Sequence, residues 1–258
     1  MKVTWFGTAS LAVETQGGRL LIDPFFPFQG SSTRVAPDAY DGCRDILVTH
    51  GHFDHILDLP RLCASEERRI YATATPCRTL RKLGVREGQL RQIAPGEALE
   101  VAGMRVTAYQ SRHVRFDRTI LRRTILSPRM LRHARNLPRA IHGFLAYPEN
   151  GETVGYLIEG DGAKLFAMGS LNLDENTDYP TGMDLLALPY QGTSDLLTPA
   201  IRLVERLCPK AILLDHFDDA FPPISNTVDT ADIQAHFDGK IPVHRLNPGE
   251  SIEMGDEK

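Results

Sequence analysis

Two short stretches rich in apolar residues, Leu11-Ala12-Val13-Glu14 and Arg19-Leu20-Leu21-Ile22, flank the pair Gly17-Gly18. Extended apolar runs joined by a glycine turn are the pattern of a β-hairpin. The pattern returns about 145 residues later, where Tyr156-Leu157-Ile158-Glu159 and Lys164-Leu165-Phe166-Ala167 flank Gly160-Asp161-Gly162. Two similar hairpins so far apart predict two related β-units. Val3 to Ile22 as a whole reads as short strands. Between the hairpins lie strand-like segments, Asp45 to Thr49, Arg69 to Ala72 and Arg105 to Tyr109, and helix-like ones, Leu57 to Ser65 and Thr75 to Leu83. The apolar run Ile212 to Asp215 stops at His216 and reads as a buried strand that ends in a loop. Alternating strands and helices predict the α/β class. No low-complexity linker divides residues 1–258, so one domain is expected.

One segment breaks the pattern. Arg112 to Arg139 holds nine arginines (112, 115, 118, 122, 123, 129, 132, 135 and 139) and one acid, Asp117. Leu121, Ile125, Leu126, Met130, Leu131 and Leu137 are interleaved, and Pro128 and Pro138 limit any helix. We read about 112–142 as an Arg-rich insertion. Four roles fit it: a solvated amphipathic insertion, an active-site lid that meets an anionic substrate, an oligomer contact, or a lipid-surface contact.

Composition narrows the class. In a chain of 258 residues, 42% hydrophobic content supports a sizeable core, and a net charge of -4 argues against a general nucleic-acid binder. The four cysteines are scattered without a C-x-x-C pair, which predicts buried thiols in a reducing compartment rather than a disulfide framework. The N-terminal apolar run is broken by polar residues and Glu14, unlike a signal peptide. No apolar run approaches the ~20 residues that span a bilayer. A cytoplasmic location is the expectation.

The densest chemistry lies in Thr49-His50-Gly51-His52-Phe53-Asp54-His55. Three histidines and a carboxylate fall between His50 and His55, in a chain with nine histidines. On a strand-to-loop turn His50 and His52 share a face, because alternate residues do. Asp54 and His55 follow on the turn and can face a second point nearby. Imidazole and carboxylate suit Zn²⁺, and also Fe or Mn.

THGHFDH resembles the signature of the metallo-β-lactamase fold superfamily. The opening TWFGTASLAVETQGGRLLIDPFF resembles its N-terminal strands, with Asp23 at a strand end. His113, in Ser111-Arg112-His113, falls where the next metal ligand is expected. Asp184-Leu185-Leu186-Ala187-Leu188-Pro189 is similar to a later family strand, and His216, in LLDHFDDAFPP, to the last histidine ligand. The resemblance implies a four-layer αββα sandwich with metals at one edge between the sheets. It implies that His50, His52 and His113 bind a first metal, and Asp54, His55 and His216 a second. His133, His142, His236 and His244 have no such context. One departure stands out: Ser170, in Ala167-Met168-Gly169-Ser170-Leu171-Asn172-Leu173-Asp174, occupies the place of the family's bridging aspartate. Two dications ~3.5–4 Å apart need shared anions. Asp174 then reaches in from the loop, or a hydroxide or substrate oxyanion bridges, or one ion is held tightly and the other weakly. The expected cofactor is Zn²⁺, one or two ions, with Mn²⁺ or Fe²⁺ as alternatives.

The same resemblance implies a metal-dependent hydrolase that uses a metal-bound hydroxide on an ester-like bond: lactone, carboxylic ester, amide or phosphodiester. Asp54 would orient the hydroxide as the catalytic residue. Asp23 would fix a histidine tautomer, or else is a strand-end turn residue. The chain is most similar to the branch that contains ascorbate-6-phosphate lactonase and the phospholipase-D-like hydrolases of N-acyl phosphatidylethanolamine. A small phosphorylated or anionic substrate is therefore expected, met by Arg115, Arg118, Arg122 and Arg123. Tyr190 and Gln191 are candidate substrate contacts. Asp218 and Asp219 orient His216, line the pocket, or form an acidic turn. The competing reading is a non-catalytic metal-binding scaffold or regulatory protein in which Ser170 records the loss of the bridge. Homo-oligomerisation through the insertion is one of its alternative roles, and nucleic-acid binding is not expected.

Overall fold

The computed structural model describes residues 1–115 and 117–255. Fourteen strands run in order: β1 (Lys2–Gly7), β2 (Ser10–Thr15), β3 (Gly18–Ile22), β4 (Asp45–Leu47), β5 (Arg69–Ala72), β6 (Leu90–Gln92), β7 (Ala98–Val101), β8 (Met104–Gln110), β9 (Val154–Gly160), β10 (Ala163–Ala167), β11 (Leu185–Pro189), β12 (Ile212–Asp215), β13 (Val243–His244) and β14 (Ser251–Glu253), counted among the described residues. The helices are α1 (Phe53–Ile56), α2 (Leu59–Ser65), α3 (Ala74–Lys82), α4 (Arg118–Ile125), α5 (Arg129–Arg132), α6 (Leu137–Ala146), α7 (Leu197–Leu207) and α8 (Ala231–Phe237).

The strands form two sheets of one design. One has the order β14-β1-β2-β3-β4-β5-β6 and the other β13-β12-β11-β10-β9-β8-β7. In the first, β14 to β3 pair antiparallel and β3 to β6 parallel. In the second, β7 to β10 pair antiparallel and β10 to β13 parallel. The two hairpins of the sequence are the pivots of this arrangement. Leu11 pairs with Ile22 across β2–β3, and Tyr156 with Ala167 across β9–β10.

Side-chain alternation makes the layers. In the first sheet Val13, Leu20, Ile22, Leu47 and Tyr71 join one core with Tyr156, Ile158, Leu165 and Ala167 of the second. Their neighbours Ala12, Leu21, Ile46, Ile70 and Ala72 pack the other way, with Leu62 of α2 and Cys77 and Leu80 of α3. Successive strand residues face opposite sides of a sheet, so a strand buried on both faces reads as a continuous apolar run. On the outer face of the second sheet α7 buries Ala200, Leu203, Val204 and Leu207, and α8 buries Ile233 and Phe237. The result is an αββα sandwich. The C-terminal strand β14 closes it by pairing with β1.

The elements differ from the sequence pattern in instructive places. The helix expected from Leu57 starts at Leu59, because Pro60 in its first turn has no N–H to lose there. Pro128 and Pro138 limit the helices as expected, one at the N-cap of α5 and the other in the first turn of α6. Cys43, Cys63 and Cys77 are buried, as expected of structural thiols, but Cys208 is exposed. It ends α7 in a left-handed conformation at φ 47°, which turns it out of the core.

Candidate metal centre

Every part of the site leaves the same edge of the sandwich. Asp23 follows β3, and β4 leads through Val48 and Thr49 to His50. His52 stands at the N-cap of α1, and Asp54 and His55 lie within that helix. His113 follows β8, Ser170 follows β10, and His216 follows β12. β3 and β4 are parallel, as are β10, β11 and β12, so their C-terminal ends open onto one crevice. This is where α/β sheets present their ligand sites.

Two glycines allow the approach. A Cβ at Gly51 would lie 2.3 Å from the Pro148 carbonyl oxygen, and one at Gly169 would lie 2.5 Å from that of Val154. Backbone does not yield as a flexible side chain does. A side chain at either place would therefore displace the loop that carries His50 and His52, or the one that carries Ser170.

The six side chains converge in two groups. Ligand atoms of His50, His52 and His113 lie within 4.8 Å of one another, and so do those of Asp54, His55 and His216. The groups adjoin, with the His50 and His55 ring centroids 3.9 Å apart. His50 Nε2 and His52 Nδ1 are separated by 3.1 Å. Two nitrogens on one tetrahedral Zn²⁺ would be about 3.3 Å apart. Asp54 Oδ2 lies 3.0 Å from His216 Nε2 and 3.6 Å from His55 Nε2.

Outer contacts set which nitrogen faces inward. Asp23, fully buried, meets His55 Nδ1 at 2.7 Å through Oδ2 and accepts the Thr49 N–H at 2.9 Å through Oδ1. His113 Nδ1 donates to the Val114 carbonyl at 2.6 Å. In both rings the proton sits on Nδ1, and Nε2 carries the lone pair a metal needs.

The electrostatics agree. Burial pushes His50 well below the usual histidine range, and the neighbouring His55, His52 and His113 add to it. Burial and His113 take His52 down to about 4, and burial lowers His113. Near neutral pH these imidazoles are unprotonated donors. Burial alone would raise Asp54, but His55 and His216 hold its carboxyl well below the usual range. His216 is pushed up to about 9: burial lowers it, and the Asp54 hydrogen bond and charge outweigh that. His216 Nδ1 is buried without a hydrogen-bond partner. Neutral imidazoles at His50, His52 and His113, an ionised Asp54 carboxylate and the orphaned His216 Nδ1 fit one or two divalent metal ions, with His216 giving up its proton as an ion binds. They fit poorly any cofactor held by apolar contacts.

Other candidates take different places. Ser170 Oγ faces the site and accepts the Val114 N–H at 3.0 Å. Asp174 stands outside both groups, its Oδ2 accepting from Arg112 Nε at 2.7 Å. Tyr190 is buried, with its hydroxyl donating to Asp232 at 2.9 Å rather than facing the crevice; Gln191 lines the crevice. Asp218 is committed to the Thr8 N–H at 2.8 Å and the Thr33 hydroxyl at 2.6 Å. Asp219 pairs with Arg129. Arg115 borders an open cleft beside His52 and His113, and Arg118 and Arg123 line the crevice itself.

The ligands floor a cavity of about 620 Å³. Ile120, Ile125, Met130 and Phe144 line it from α4, the start of α5 and α6, and Phe221, Ile224 and Val228 from the chain after β12. Phe144, Phe221 and Val228 were not legible as site residues. The rings of Phe144 and Phe221 meet Phe53 of the histidine motif, at 5.3 and 5.2 Å, contacts that no local sequence pattern announces.

A two-sheet αββα sandwich with this ligand edge defines the metallo-β-lactamase class of α/β fold. The chain belongs to the β-lactamase superfamily domain family, whose model matches residues 18–217. A protein of Roseiflexus castenholzii named as a UPF0173 metal-dependent hydrolase is 28% identical, across 97% of this chain and 96% of its own. One from Methanopyrus kandleri is 26% identical, across 98% and 100%. Among solved structures, Igni18, a metallo hydrolase of Ignicoccus hospitalis, superposes with a TM-score of 0.65 at 18% identity, covering 97% of each chain. Zn²⁺-bound PqqB of Methylobacterium extorquens gives 0.62 at 16% identity, covering 98% and 100%. At such identities the two structures speak for the fold.

Proposed function

We propose that this protein is a metal-dependent hydrolase that cleaves an ester-like bond, a lactone, carboxylic ester or phosphodiester, in a small substrate with an anionic group and an apolar arm. The observation that carries this reading is the placement of six histidine and aspartate ligands on the floor of an apolar-walled cavity with Arg118 and Arg123 in its lining. His50, His52 and His113 would hold one ion, and Asp54, His55 and His216 a second. A divalent ion such as Zn²⁺ supplies a water acidified to a pKa of roughly 7 and a Lewis acid for the substrate oxygen.

The chain's own residues supply the rest. Asp54, ionised between two histidines, would orient a water by accepting its hydrogen bond. Asp23 holds His55 in one tautomer. Arg118 and Arg123 offer guanidinium N–H groups to an anion, as forks that match carboxylate or phosphate. Ile120, Ile125, Met130 and Phe144 seat the apolar arm and thin the water around the reacting bond, which strengthens every charge interaction there. The non-catalytic reading rests on Ser170, a neutral side chain that brings no bridging charge.

The test is a panel of aryl carboxylic esters, lactones and phosphodiesters, run on protein stripped with chelator and re-supplied with Zn²⁺ or Mn²⁺. Metal-restored turnover that drops at least about tenfold in Arg118→Gln/Arg123→Gln on anionic substrates alone is expected. Stoichiometric metal uptake with no turnover across the panel would favour the scaffold.

A further inference from the structure

The Arg-rich segment does more than wall the cavity. Leu83 apart, the large hydrophobic side chains exposed among the described residues all lie on it or on the rest of α6, with which it ends: Ile125, Leu126, Leu131, Ile141, Phe144 and Leu145. Leu126, Leu131 and Leu145 are 77%, 86% and 80% exposed. Single exposed leucines are ordinary, but a concentration on one segment is not. Exposed arginines, Arg122, Arg123, Arg132 and Arg135, are interleaved with them.

The charge is equally one-sided. From Arg112 to Ala146 the sequence has nine arginines and a single acid, while the rest of the chain has twenty Lys and Arg against thirty-two Asp and Glu. The one acid, Asp117, is already committed to the N–H groups of Ile120 and Ser194 at 2.9 and 2.6 Å. Three of the arginines are also engaged: Arg112 on Asp174, Arg129 on Asp219, and Arg139 over the Phe28 ring. Arg115, Arg118 and Arg123 border the site, and Arg122, Arg132 and Arg135 stand exposed among the leucines with no ion pair to any described acid.

We propose that the solvent face of α4, α5 and α6 docks onto an anionic lipid surface. A second copy of the chain would set arginine against arginine. Nucleic acid would meet the arginines but leave aliphatic leucines against phosphate and water; among the described residues of the face the exposed large hydrophobics are five aliphatic side chains and one ring, Phe144. A lipid layer answers both features, with headgroup phosphates at the level of the guanidiniums and acyl chains below to cover the leucines. The apolar face is continuous with the cavity, because Ile125 and Phe144 are exposed and also line it. The docked protein would thus open its cavity toward the acyl layer.

The full chain is sedimented with vesicles of phosphatidylcholine alone and of phosphatidylcholine with phosphatidylglycerol, at low and high salt. Two variants run beside it, Leu126→Ser/Leu131→Ser/Leu145→Ser and Arg122→Gln/Arg132→Gln/Arg135→Gln, with circular dichroism to show that each is folded. We expect binding to the anionic vesicles, weakened by salt, and reduced at least about tenfold in both variants. If the leucine variant does not fold, the arginine variant carries the test. Several results would overturn the proposal: no binding by the unmodified chain, binding untouched by the folded variants, or a lipid-free dimer that the leucine variant dissociates. Retention on RNA without retention on vesicles would do the same. Metal and turnover enter none of these readouts, so docking stands or falls apart from hydrolysis.

Discussion

His55 and Asp23 stand 32 residues apart, yet His55 Nδ1 lies 2.7 Å from Asp23 Oδ2 with both residues buried. Asp23 occupies a left-handed conformation, φ 45°, at the end of β3. Its two oxygens also take the Thr49 N–H and the Thr49 hydroxyl, at 2.9 and 2.5 Å. One carboxylate therefore fixes the histidine loop at three points. Asp23→Asn replaces one acceptor oxygen by an NH₂ group that faces a donor. Metal affinity should fall about 10–100-fold, the usual cost of losing such an orienting partner. Stability should fall by about 1–3 kcal/mol, for one donor left unpaired. Zinc titration against a chromophoric chelator reads the first quantity. Unchanged affinity would mean that Asp23 only ends a strand.

Gly51 separates His50 from His52 and faces the Pro148 carbonyl. Gly51→Ala must move backbone, because the new Cβ would lie 2.3 Å from that oxygen. A destabilisation of about 1–3 kcal/mol is expected, together with loss of metal at the His50, His52 and His113 group. Urea unfolding and metal content per chain measure the two effects. Full metal occupancy in a folded Gly51→Ala protein would show that the loop has slack which the close contact denies.

Ser170 and Asp174 make opposite predictions for metal number. Asp174 is held by Arg112 and outside both ligand groups, so Asp174→Ala should leave metal content as it was. Ser170→Asp places a charge beside Val114 and the ligands and should tighten the weaker ion. Elemental analysis of the two variants beside the unmodified protein decides it. A metal lost in Asp174→Ala would mean that the loop swings in when ions are bound.

The acid limb of stability has a contributor away from the site. Burial alone would raise Glu152, but its carboxylate accepts from the Thr75 N–H and hydroxyl, both at 2.6 Å, and stays below the usual glutamate value. A carboxyl lowered in the folded state stabilises the protein fully above its unfolded pKa of about 4.3. That contribution is lost as pH falls through the lower folded value. Glu152→Gln should therefore narrow the gap between unfolding free energies at pH 6 and pH 3. Parallel pH profiles for the two proteins would show no such Glu152 linkage.

Several features of this protein were legible in its residues alone. The glycine-flanked apolar runs mark both hairpins, because hydrogen bonding between neighbouring strands is local. Ile212 to Asp215 announces a strand buried on both faces by its unbroken apolar character. His50, His52, Asp54 and His55 announce a ligand cluster, because their spacing leaves the chain little freedom to separate them. Other features were settled only by tertiary packing. Asp174, Tyr190 and Asp218 all sit on loops or at strand ends near the site in sequence. Their side chains turn to Arg112, Asp232, and Thr8 with Thr33. A loop residue's direction depends on partners tens to hundreds of residues away, and nothing in its local pattern encodes them. The insertion shows the same division. Its arginines and leucines declare an amphipathic segment. That Ile120, Met130 and Phe144 close over the ligands while Leu126, Leu131 and Leu145 face outward was decided by how three short helices pack on the sandwich.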